Sequence, residues 1–322
     1  MPGVTHSLVC GRAVPTPILI DCDPGHDDAM ALLLALASPE LELVGVSTVH
    51  GNTTLANTTV NALKILELAG RTEIPVARGA DRPLTRAPKV ASHVHGESGL
   101  DGPDLPAPTT EIVAPHAVDF LADTLRAAPT PITLIPTGPL TNIALLLAQH
   151  PDITDKIERI VLMGGAIAEG NITPAAEFNI WVDPEAAARV FASDVDTTMV
   201  GLDVTHRALM TPAHADQLKA SGRIGGVVAE LFAFYNRFHS RVYDLPGSPV
   251  HDALAVAHVI RADLLTTKHC HVAVDCASEL CRGRTVVDLW SVTGNDANAH
   301  VATEVRGTEF IDLLVERIGS LG

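Results

Sequence analysis

The stretch from Pro17 to Ala35 constrains the fold more than any other part of this chain. Pro17-Ile-Leu-Ile20 reads as a buried strand, Pro24-Gly25 as a turn, and the Ala- and Leu-rich run from Asp27 as a helix. Between strand and helix four aspartates, Asp21, Asp23, Asp27 and Asp28, fall within eight residues. The acidic group is thus placed at the carboxyl end of a strand, where open α/β sheets bind ligands. Like charges at close range repel, so four crowded carboxylates need a positive partner, and their oxygens suit a hard cation, Ca²⁺ or Mg²⁺. Helix capping and the helix dipole would account for Asp27 and Asp28. They do not account for Asp21 and Asp23, which precede the turn.

The rest of the chain repeats the strand-then-helix alternation, the pattern of a mostly parallel sheet covered on both faces. Strands are expected at 43–47, 132–135, 159–163 and 197–200. Helices are expected up to Leu68, up to about Gln149, from Asp183-Pro184 through Phe191, over about 224–243, and from about Val250. Strands near 269–274, 284–289 and 298–304 and a helix over 307–318 close the chain. The proline-rich segment 81–115 reads as a long functional loop. There is no internal repeat and no convincing linker, so residues 17–322 are expected to form one α/β domain behind a loose tail over 1–16.

Composition narrows the function. Twenty-two basic against 38 acidic residues give a net charge of −16. This argues against nucleic acid or an anionic membrane as the main partner, since both call for a basic face. No apolar run reaches transmembrane length, and the start lacks a signal-peptide pattern. Five cysteines at irregular spacing are not a disulfide framework and lack the paired spacing of a zinc site. A cytoplasmic location follows as the simplest reading.

Polar clusters recur just after the predicted strands: His50-Gly-Asn52, Thr137-Gly-Pro, Asn171 through Asn179, and His251-Asp252. Singly, each has a plain structural reading as a cap, a loop polar or a first-turn acid. Together they fall at one edge of the sheet. These residues also carry a resemblance. Asp21-Cys-Asp23-Pro-Gly25-His-Asp27-Asp28-Ala, His93-Val-His95-Gly-Glu-Ser-Gly99, Pro136-Thr137-Gly-Pro-Leu-Thr-Asn142, Met163-Gly-Gly165, Glu177-Phe-Asn179 with Asp183-Pro-Glu-Ala-Ala, Leu202-Asp-Val-Thr-His206 and Val250-His251-Asp252-Ala occur in order. In this the chain resembles the inosine–uridine preferring nucleoside hydrolases, from about residue 17 to 318.

The resemblance implies a Rossmann-like single domain that hydrolyses the N-glycosidic bond of ribonucleosides with a bound Ca²⁺. It implies Asp23, Asp28, the Thr137 carbonyl and Asp252 as calcium ligands, with Asp23 also the general base. Asp27, Asn52 and Asn179 would hold the ribose 2′ and 3′ hydroxyls, and Asn171 and Glu177 the 5′ hydroxyl. His251 is the implied general acid for the leaving base. His95, Met163, Tyr235, His239 and Tyr243 are expected near the base, where Met163 has an equally good reading as core filler. Of Tyr235, Phe238, His239 and Tyr243, two are expected in the core. The mixture of aromatic and polar groups there fits neither a purine nor a pyrimidine pocket cleanly. A homo-oligomer, dimer or tetramer, is expected.

Three other readings compete. A haloacid-dehalogenase-like phosphohydrolase would make Asp21 a nucleophile, but its pattern expects Thr or Val where Gly25 stands. A non-catalytic nucleoside-binding protein has no need of the Asp23 and His251 pair. An EF-hand-like module fails on loop spacing.

Overall fold

The computed structural model describes residues 14–243 and 245–322. The expected tail therefore lies, up to residue 13, outside the described residues. Eleven strands are present among those described: β1 (Thr16–Cys22), β2 (Leu41–Thr48), β3 (Val76–Arg78), β4 (Ile132–Pro136), β5 (Ile157–Met163), β6 (Thr197–Val200), β7 (Leu209–Met210), β8 (Ser248–Pro249), β9 (Leu265–Val274), β10 (Thr285–Asp288) and β11 (Ala299–Val305). Nine of them form one sheet in the order β10-β9-β11-β6-β5-β4-β1-β2-β3, while β7 and β8 pair separately. The run β3-β2-β1-β4-β5-β6 is parallel throughout. That is the Rossmann strand order, and it reverses between β1 and β4. β11 joins parallel to β6, and β9 is antiparallel to β11.

β1 shows why the sheet is covered on both sides. Its side chains alternate across the sheet: Ile18 and Ile20 enter one apolar core, Leu19 the other. The first core takes the helices His26–Ala37, Leu55–Leu68, Arg223–Tyr243, His251–Ile260 and Gly307–Gly319; the second takes Ala117–Ala127, Thr141–Gln149 and Pro184–Phe191. Asp183 caps the last of these, its Oδ1 accepting from the Ala186 N–H at 3.1 Å, with Pro184 at the first helical position.

Several elements lie outside the expected set, among them β7, β8 and the helix Pro212–Ala220. The short strand β3 and the helix Ala117–Ala127 flank the long loop, and the loop itself contains a single turn of helix, Ser92–His95. β1 begins one residue before the expected domain boundary, tied down by the Thr16 N–H to the Glu40 carbonyl at 2.8 Å.

Candidate active site

The reversal of strand order between β1 and β4 opens a crevice at their carboxyl ends, and the acidic residues stand there. Asp23 follows β1, Thr137 follows β4, and Asp27 and Asp28 lie in the first turn of helix His26–Ala37. Asp252 lies in the first turn of helix His251–Ile260. Carboxylate oxygens of Asp27, Asp28 and Asp252 lie within 4.8 Å of one another. Asp23 is held beside them. Its Oδ2 accepts from the Asn52 main-chain N–H at 2.6 Å, while its Oδ1 is buried without a hydrogen-bond partner. Gly51 is required for this approach, since a Cβ there would stand 1.9 Å from Asp23 Oδ2.

Burial pushes all four acids up, and repulsion from neighbouring carboxylates adds to it at Asp23, Asp27 and Asp252. Asp27 rises to about 7, and Asp23 and Asp252 rise well above the ordinary carboxylate range, burial being the largest cause in each case. No arginine or lysine among the described residues pairs with them. Such a group lacks only a positive charge, and its orphaned Asp23 oxygen and all-oxygen donor set fit a divalent cation.

Asp21 does not belong to this group. It points away, its Oδ1 accepting from Ser47 Oγ at 2.6 Å and from Asn142 Nδ2 at 2.8 Å, and burial raises it to about 7. Asn142 also bonds the Thr48 carbonyl and the Ala80 N–H, so this trio locks β1, β2 and the start of the long loop together. The expectation that all four aspartates share one charge is thereby corrected. Asp21 is braced by neutral donors, and it is outside the cavity, which removes the nucleophile reading.

Above the carboxylates lies a half-open cavity, lined by Asp27, Asn52, Thr137, Met163, Asn179 and Asp252 on the sheet side. Asn171 and Glu177 border it from the loop after β5. Several of these residues bond one another. Thr137 Oγ1 donates to Asp28 Oδ1 at 2.8 Å, and the Thr137 carbonyl accepts from Asn179 Nδ2 at 2.8 Å. Asn179 Nδ2 also reaches the Met163 carbonyl at 3.2 Å. Asn52 Nδ2 donates to Asp28 Oδ2 at 3.1 Å, so Asn52 braces two carboxylates as well as facing the cavity.

Glu177 is not a surface polar. It is buried and caps helix Phe178–Val182, accepting the N–H groups of Asn179, Ile180 and Gly165 at 2.8, 3.1 and 2.9 Å. Burial raises it to about 6 against those bonds. Asn171 is exposed at the rim, where its Oδ1 accepts from the Phe178 N–H at 2.9 Å.

The remaining wall is aromatic and imidazole-rich. His95, Tyr235, His239, Tyr243 and His251 all border the cavity, and so does Phe238. The expectation that two of Tyr235, Phe238, His239 and Tyr243 are core is therefore corrected. The four follow one another at spacings of one to four along helix Arg223–Tyr243 and pack together, Tyr235 edge-to-face with His239 at 4.3 Å and His239 stacked on Tyr243 at 5.9 Å between ring centres. His251 Nδ1 lies 2.7 Å from Thr205 Oγ1. Burial and the neighbouring imidazoles of His206, His239 and His95 hold His251 well below its ordinary value. Sequence reasoning missed His26, Thr205 and His206. Each stands within a quoted motif, but nothing in residue spacing separates a histidine facing the cavity from one behind it.

The inosine–uridine preferring nucleoside hydrolase model matches residues 18–312, and the chain belongs to that family. Its members are N-glycosidases that hydrolyse ribonucleosides to ribose and a free base, and they are in general metal-dependent. The pyrimidine-specific ribonucleoside hydrolase RihA of Shewanella sp. (strain ANA-3) is 50% identical over 304 residues, covering 94% of this chain and 96% of the relative. RihA of Salmonella arizonae is 48% identical, covering 95% and 99%. Among solved structures, the purine-preferring ribonucleoside hydrolase from Gardnerella vaginalis superposes with a TM-score of 0.90 at 34% identity, covering 95% of this chain and 99% of that one.

Proposed function

We propose that this chain is a calcium-dependent ribonucleoside hydrolase that prefers pyrimidine nucleosides. The observation that carries the reading is the juxtaposition of a buried, uncompensated carboxylate cluster with an imidazole-rich wall across one cavity. Asp23, Asp28, Asp252 and the Thr137 carbonyl would hold the cation. When bound there, the cation supplies positive charge that lowers the pKa of a nearby water. Asp23 takes the proton of the attacking water as its oxygen bonds to the ribose C1′. The C1′–N bond breaks with its electron pair leaving on the base, and His251 supplies the proton that neutralises it. Asp27, Asn52 and Asn179 fix the 2′ and 3′ hydroxyls, and carboxylates close to the ring stabilise its oxocarbenium character. Asn171 and Glu177 take the 5′ hydroxyl, with Glu177 also holding the loop that carries it.

The pyrimidine preference is supported by the names of the relatives near 50% identity and by the polar groups of His95, Tyr235 and His239 on the base side. Met163 and Tyr243 complete that side. The same reading takes the protein as a cytoplasmic homo-oligomer, to which exposed Leu280, Trp290 and Val292 offer apolar surface. The test is kcat/KM for uridine, cytidine and inosine with calcium present and after chelation. Pyrimidine substrates should lead by about tenfold or more, the usual scale of pocket discrimination. Full activity in a metal-free protein, or inosine cleaved equally well, would overturn the respective half.

A further inference from the structure

His26 is a fully buried imidazole to which neither the metal cluster nor the bond-cleavage step assigns a task. It is the first residue of helix His26–Ala37, in the same turn as Asp27 and Asp28. Its ring is clamped between Phe234, 5.2 Å away and 4° from parallel, and Tyr235, 5.6 Å away and 15° from parallel. Such packing fixes the plane of the ring, and within that plane the Asp101 carbonyl selects its flip. In that orientation Nε2 lies 2.9 Å from the main-chain carbonyl of Asp101, and Nδ1 lies 3.1 Å from Nδ1 of His95.

The sense of these bonds follows from what each atom can do. A carbonyl only accepts, so the proton of a neutral His26 ring is on Nε2. Its Nδ1 then presents a lone pair. Two facing lone pairs at 3.1 Å repel, so the contact is a bond only when His95 carries its own proton on Nδ1. A neutral imidazole has one such proton, which leaves His95 Nε2 as a bare acceptor. That nitrogen has no hydrogen-bond partner among the described residues, and His95 lines the cavity. The approach of the two rings depends on Gly25, where a Cβ would stand 2.6 Å from His95 Nδ1.

We infer that His26 is a positioning residue that fixes the tautomer of His95, so that His95 turns a hydrogen-bond acceptor, and not a donor, toward the base. The ligand chemistry is a nucleobase that offers an N–H, such as the ring imide of uracil. This recognition step rests on the pyrimidine reading above; the tautomer itself does not. The wall then holds two histidines with different tasks. His251 is the proton donor, and His95 reads the base.

One further contact makes the inference sharply testable. The main-chain N–H of residue 26, one of the unpaired donors of a helix start, points at the same His95 Nδ1 from 3.3 Å. It demands the opposite tautomer, but the ring of His26 is closer. Removing the ring leaves the main-chain donor as the sole partner. In His26→Leu, His95 should therefore switch to the Nε2-protonated form. His26→Asn, whose side-chain carbonyl can stand near the lost Nδ1, should restore the Nδ1-protonated form.

Tautomers are read directly from long-range proton–nitrogen correlation spectra of protein labelled in its histidine ring nitrogens, with the His95 signals assigned by their loss in His95→Gln. Expected are a protonated Nδ1 on His95 in the parent, a protonated Nε2 in His26→Leu, and the parental pattern in His26→Asn. A parent in which His95 already carries its proton on Nε2 overturns the inference, whether or not any variant folds. So does a His26→Leu spectrum unchanged at His95. For recognition, uridine is compared with N3-methyluridine, which lacks the imide N–H. The parent should favour uridine by about tenfold, the scale of a lost hydrogen bond, and His26→Leu should close most of that gap. A gap that persists in the variant would show that the methyl group is rejected by size alone and that His95 does not read the N–H. If inosine proves the better substrate while the tautomers behave as stated, the pyrimidine reading fails and the role of His26 stands.

Discussion

Asp23 and Asp21 are two residues apart, yet they sit in different chemistry, because Asp21 is held within β1 between β2 and β4, whereas Asp23 lies past the strand end, where the chain turns toward helix His26–Ala37. Asp21 faces Ser47 and Asn142; Asp23 turns to the Asn52 N–H, with its other oxygen unpartnered. Two predictions separate them. Asp23→Asn keeps an oxygen for the cation but not the base. It should retain calcium and nucleoside binding while kcat falls by at least ~10²-fold, the scale of positioned base catalysis. A loss confined to KM would show that Asp23 only binds. Asn142→Ala removes a donor from a buried carboxyl that has one oxygen already unpartnered. It should cost about 1–3 kcal/mol of stability, measured by urea unfolding with calcium saturating, with kcat of the folded fraction little changed. The proton-donor role of His251 is tested with two leaving groups. His251→Ala should slow uridine by about 10²-fold or more, while a nitrophenyl riboside, whose phenolate leaves unaided, should be cut nearly as fast as by the parent. Equal losses on both would make His251 a support for the metal site.

At the level of elements, what could be read in advance and what could not divide along a physical line. Strands such as Ile132–Pro136 and Ile157–Met163 are apolar runs bounded by glycine and proline, so they announced themselves, and with them the strand ends where Thr137 and Asn179 gather. Helix Ala117–Ala127 begins just past the proline-rich loop and is absent from the expected set, although Leu121 and Leu125 recur at helical spacing. β3 is three residues long, too short for any period to show. In the site, the carboxylates were legible because their crowding is itself a physical anomaly. Whether Tyr235 or Phe238 faces the cavity was not, since a helix wedged between core and cavity carries apolar residues on both faces. The capping role of Glu177 is not legible in the sequence, because it depends on the N–H of Gly165, twelve residues earlier, which only the folded loop brings near. Glu177→Ala should therefore loosen the whole segment from Gly164 to Ile180. Hydrogen exchange there should quicken, and KM should rise while kcat falls, a pattern that loss of one hydroxyl contact would not produce.

For the whole molecule, the acid limb of stability has an identifiable contributor away from the site. His258, on the far turn of helix His251–Ile260, is buried with Nδ1 unpartnered, and burial, reinforced by the charge of Arg159, lowers it to about 4. Its folded-state pKa lies below the unfolded value of 6.5, so the unfolded chain takes up this proton first as pH falls. The contribution of a neutral His258 is thus complete above 6.5 and is lost progressively down to about 4. Asp21, raised to about 7, pushes the other way over much of that range, so the net profile conceals the effect. The difference between parent and His258→Gln exposes it. The variant should be less stable at neutral pH, and its deficit should shrink as pH is lowered from 6.5 toward 4. A constant deficit would show that the ring acts by packing alone.

The strand reversal between β1 and β4 places the carboxylates proposed to face the sugar on the framework of the molecule, anchored in both cores. The surfaces proposed to meet the base come from elsewhere: one turn of helix in the long loop and one face of Arg223–Tyr243, joined to each other through His26. The two halves of the cavity can therefore change at different rates. A lineage, or an engineer, can exchange the loop and the helix face to accept a new nucleobase while the cleavage machinery stays fixed. The exception is His26, a residue of the framework that reaches into the exchangeable half. Transplants of base preference that ignore it should yield enzymes that bind the new base in the wrong hydrogen-bonding register.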